Sequence, residues 1–142
     1  MAAINKRRFW LGVLVGGAVW TIFSFLVAIV GHEDARIAAA TAAGLFLQAP
    51  RYPWFMVEWI ILLFLLTYIL AWLYVSLRTT LGPGPWTALR VGILVGFAMG
   101  FPGNFATATW APFSRALPLL WMIELWGGAI LATLVAGWLY KD

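Results

Sequence analysis

Cysteine is missing from the chain altogether, which removes disulfides, thiolate metal sites and cysteine nucleophiles together. Histidine is nearly missing too. The single copy, His32, follows the first long apolar run, so the paired axial histidines of a membrane b-type haem have too few donors. Charge is the third scarcity: charged residues make up 10% of the sequence. No Ser/His/acid set and no cluster of metal-ligating side chains assembles from them, so the reading is of a protein that is not an enzyme and holds no metal. The basic residues are scattered and form no run, which leaves no nucleic-acid interface.

Apolar residues fill the space that charge leaves. They account for 64% of the 142 residues, and a mean hydropathy of +0.94 lies outside the soluble globular range. Four apolar stretches, about Trp10 to Val30, Trp54 to Leu77, Ala88 to Trp110 and Leu119 to Tyr140, each approach the roughly 20 residues that a helix needs to cross hydrocarbon. Only helices or closed barrels satisfy their backbone in lipid. The expected fold is therefore an all-α integral membrane protein of four transmembrane helices in one membrane domain, residues 1–142. Lys6, Arg7 and Arg8 before the first run resemble a secretory leader, but that run is too long and lacks an Ala-x-Ala exit, so it is read as a retained span.

The chain repeats itself. Met56, Glu58, Leu65, Thr67, Trp72, Leu73 and Tyr74 return 66 residues later as Met122, Glu124, Leu131, Thr133, Trp138, Leu139 and Tyr140. Gly12, Leu14, Val15, Gly16 and Ala18 return 80 residues later as Gly92, Leu94, Val95, Gly96 and Ala98. These offsets predict two repeats, about 8–78 and 88–142, each of two spans. An even number of spans per repeat makes them parallel, related by a pseudo-twofold axis along the membrane normal. The difference between the offsets leaves extra residues in the first half, where the Ala-rich stretch opening on Glu33 and Asp34 predicts a short surface helix at about 33–47.

Lys6, Arg7, Arg8, Arg78, Arg90 and Lys141 fall on one side of the spans, and Arg36, Arg51 and Arg115 on the other. That bias predicts both termini in the cytoplasm, and the reading is of a bacterial inner-membrane protein whose basic belt meets anionic headgroups.

Gly12 and Gly16, Gly92 and Gly96 with Gly100, and Gly128 form small-residue faces of the kind that let helices approach closely in lipid. Spans one and three are expected to cross on theirs. Glu58 and Glu124 are the sharpest chemical signals, since ionisable groups within spans are costly. They act either as interfacial anchors paired with Arg51 and Arg115, or as facing carboxylates that bind a cation or carry a proton. Pro102 and Gly103 are expected to break span three, leaving Asn104, Thr107 and Thr109 at membrane depth with Arg115 beyond as an anion contact. These residues are the candidates for binding or transport.

Two functions follow. The first is a scaffold or accessory subunit that packs against itself, as a homo-oligomer, or against a larger membrane complex. The second is a small oligomeric transporter or channel with its polar path at Glu58, Glu124 and the broken third span. No cofactor is required, although the ten tryptophans suffice for an aromatic pocket around a lipid, quinone or pigment ring.

Overall fold

A computed structural model describes residues 4–140, and every regular element among them is a helix: α1 (Lys6–Val30), α2 (Glu33–Ala42), α3 (Phe55–Leu81), α4 (Pro85–Trp110) and α5 (Ala116–Leu139). All but α2 are long and apolar enough to cross a membrane. Lys141, counted above with the basic residues, lies outside the described residues.

The helix boundaries follow local chemistry. Asn5 caps α1, its side-chain oxygen accepting from the Arg8 N–H at 3.2 Å. Gly82 and Gly84 take φ of 85° and 128°, backbone that glycine adopts without steric cost, and they turn the chain into Pro85 at the first helical position of α4. The four spans run alternately up and down, which brings the start of α1, the α3–α4 turn and the end of α5 to one end. Three hydrogen bonds close this end. Tyr140 Oη accepts from the Asn5 N–H at 3.0 Å, Tyr74 Oη accepts from the Gly84 N–H at 3.3 Å, and the Arg78 guanidinium donates to the Tyr140 carbonyl at 3.2 Å. The α2 helix and the α4–α5 loop lie at the other end.

The central element is α5, which packs against α1, α3 and α4, whereas α1 and α4 do not meet. The expected crossing of spans one and three is therefore absent. Their glycines both serve α5 instead. A Cβ on Gly16 would stand 2.9 Å from the Ala132 carbonyl oxygen, and one on Gly92 2.7 Å from the Ile130 Cα. Gly12 faces Ala136, Gly96 and Gly100 face Trp126, and Gly128 receives the Trp20 indole. Because α5 carries small residues on two sides, it accepts both glycine helices, and each is held off from the other by its width.

The expected break in span three is also absent, because α4 runs as one helix through Pro102 to Trp110. Proline removes one backbone donor and crowds the preceding turn, but side chains support the helix around it. Asn104 Nδ2 donates to the Gly100 carbonyl at 2.8 Å, Thr107 Oγ1 to Gly103 at 2.9 Å and Thr109 Oγ1 to Phe105 at 2.8 Å. Phe97, Phe101 and Phe105 stack in a column along the same helix, with ring centroids 5.0 and 5.5 Å apart.

Candidate functional site

The middle of the bundle is solid: Trp20, Leu63, Thr67, Leu70, Tyr74 and Thr133 are all fully buried. Toward the termini a pocket of about 380 Å³ lies between Arg78, Pro85, Trp138 and Tyr140. Each buried threonine uses its hydroxyl proton by bonding back one turn, Thr67 to Leu63 at 2.8 Å and Thr133 to Ala129 at 2.6 Å. Toward α2 the helices diverge around a half-open cavity of about 400 Å³, within the roughly 300–1,000 Å³ of small-molecule sites.

Most of the cavity wall is apolar or aromatic, supplied by Phe25 and Ala28 of α1, Ile37 of α2, and Phe55, Met56 and Trp59 of α3. The polar groups are few and gathered. Glu33 sits in the first turn of α2 and Glu124 more than two turns inside α5, which begins at Ala116. Both side chains line the same cavity. Trp121, one turn before Glu124, donates its indole N–H to Glu33 Oε1 at 2.8 Å, and Phe113 packs edge-on against the Trp121 ring at 6.2 Å. Thus the Trp121 indole of α5 holds the first turn of α2 over the bundle.

Thr21, Ser24 and Asn104 complete the polar lining. Ser24 is 8% exposed, yet its hydroxyl has no hydrogen-bond partner. That is unusual in this protein, since Thr21 bonds back to the Gly17 carbonyl at 2.8 Å and both core threonines do the same. An unsatisfied buried hydroxyl costs about 1–3 kcal/mol. Trp20, one turn before Ser24, donates instead to the backbone carbonyl of Glu124 at 2.9 Å.

The structure divides the sequence candidates. Glu124 and Asn104 both line the cavity. Glu58 does not join them: it is exposed in the first turn of α3, outside the cavity lining. Thr107 bonds back along α4, while Thr109 and Arg115 are exposed. Neither acid forms an ion pair with Arg51 or Arg115 among the described residues, and both arginines are exposed. The inequality of the two matched glutamates has a physical cause, since α5 is enclosed by three spans and α2 covers its first turns, whereas no short helix covers the start of α3. Sequence reasoning passed over Glu33, Ser24 and Trp121. The spacings Trp20 to Ser24 and Trp121 to Glu124, one turn each, were the signals that put a polar group beside an indole.

No family model matches the chain, and no curated protein and no solved structure is significantly similar to it.

Proposed function

We propose that this protein is a non-enzymatic accessory subunit of the membrane whose cavity holds a small, largely apolar molecule for the assembly it joins. One observation carries the reading: the cavity ends inside the bundle, on the fully buried layer of Trp20, Leu63 and Thr67. A channel needs a polar path continuous across the membrane. Here the polar groups stop at Glu124, and the solid layer beyond it argues against a path through a single chain. The many large apolar side chains facing outward, Ile29, Trp54 and Trp110 among them, suit contact with lipid or a partner helix.

The parallel two-repeat arrangement belongs to the same proposal. Matched tyrosines make matched bonds, since Tyr74 of the first repeat holds the residue before α4 and Tyr140 of the second holds the residue before α1. Thr67 and Thr133 are likewise both buried and back-bonded. With the basic residues Lys6, Arg7, Arg8, Arg78 and Arg90 at the terminal end, that end faces the cytoplasm and the cavity opens in the opposite half of the bilayer.

The test is native mass spectrometry of the protein released from bilayer nanodiscs, paired with flux measurements in liposomes. The proposal expects a non-covalent small-molecule adduct and no ion leak. A chain that is always empty, or one that conducts ions, overturns it.

A further inference from the structure

The geometry points to an amphiphilic amine as the ligand of this cavity: an apolar body lying against Trp59 and Phe55, with its ammonium group held between Glu33 and Glu124 and donating to the Ser24 hydroxyl. This rests on the reading of the cavity as a binding site and adds the class of molecule that fills it.

Three features select that class. First, two carboxyl-bearing side chains line one largely apolar cavity, and no lysine or arginine lines it beside them. A cationic headgroup supplies the partner that buried acidic groups otherwise lack. Second, Ser24 is an unpartnered, deeply buried hydroxyl in the same lining, and its oxygen accepts a hydrogen bond that no protein group supplies. A primary ammonium has three donors, which matches two carboxylates and one hydroxyl. Third, the volume and apolar walls far exceed the needs of an inorganic cation, and no group of three or more metal-ligating side chains occurs among the described residues. Trp59 and Trp121 present aromatic rings to the same space, and such rings favour cations over neutral groups.

The experiment titrates the purified protein with dodecylamine, dodecanol and dodecyltrimethylammonium in one detergent, reading one-to-one adducts by native mass spectrometry. Micelle partitioning is measured for each ligand, and binding is compared at equal micelle-phase concentration. Dodecylamine should bind at least about tenfold more tightly than dodecanol, the value of one charge-assisted hydrogen bond, and more tightly than the quaternary amine, which has no N–H to donate. Glu33→Gln, Glu124→Gln and Ser24→Ala should each weaken dodecylamine and leave dodecanol unchanged, while Glu58→Gln should alter neither. If Glu124→Gln does not assemble, Glu33→Gln on the short α2 helix carries the same comparison. Displacement of dodecylamine by phosphatidylethanolamine identifies a lipid headgroup as the source of the amine, and its failure identifies a free amine. Equal binding of dodecanol and dodecylamine overturns the amine assignment and leaves the cavity as a binding site; binding of none of the three overturns both.

Discussion

The indole of Trp20 donates to the backbone carbonyl of Glu124 at 2.9 Å, and it reaches that oxygen across the bare backbone of Gly128. This one bond joins α1 to α5 immediately below the cavity. It explains why Trp20 is fully buried and why a glycine stands one turn after the glutamate: any side chain at 128 would occupy the space of the indole.

Gly128→Ala should therefore destabilise the bundle by about 1–3 kcal/mol, the usual cost of overpacking a filled core. Gly103 is the contrasting position, since a Cβ there meets no atom within 4 Å. Gly103→Ala should leave stability unchanged or raise it by up to about 1 kcal/mol through helix propensity. Thermal unfolding of the two variants in the same detergent reads the difference.

Tyr74→Phe and Tyr140→Phe should each cost about 1 kcal/mol, the net value of a hydrogen bond. Their local effects should be mirror images. Hydrogen exchange should quicken at the Gly84 amide in the first variant and at the Asn5 amide in the second, because those amides lose their acceptors.

Pro102→Ala should be neutral or stabilising. The helix is already continuous through Pro102, so alanine restores a backbone donor and relieves crowding. A large loss of stability or of ligand binding on this change would return Pro102 to the role of a functional break.

The matched acids should behave differently. Glu58→Gln lies on an exposed first turn and should change stability by less than about 0.5 kcal/mol. Glu124→Gln should preserve folding, because the Trp20 bond goes to the backbone of Glu124, while changing what the cavity accepts. Circular dichroism and adduct formation on the two variants make the comparison.

Four spans were legible from apolar run length alone, because hydrocarbon thickness sets that length directly. Their mutual arrangement was not. Gly12–Gly16 and Gly92–Gly96 signal close approach, but a glycine face does not say which helix fills it. Both turned to α5, whose Ala132 and Ile130 backbone they meet. Pro102 misled for a related reason. Proline's local penalty is visible in sequence, whereas the carbonyl bonds of Asn104 and Thr107 that accompany a continuous helix are visible only in three dimensions. At the cavity, Glu124 and Asn104 could be picked out as polar residues in apolar runs. Glu33 could not, because it lies in a short helix whose acids have a sufficient explanation at its N-terminus, and only the fold brings it to Glu124.

A high-resolution structure in a lipid bilayer tests the central claim most directly, since it reads the space beside Ser24. Non-protein density filling the cavity within hydrogen-bonding distance of the Ser24 hydroxyl and the Glu33–Glu124 pair is the expected result. A collapsed, empty cavity with the Ser24 hydroxyl bonded back to the Trp20 carbonyl would contradict it.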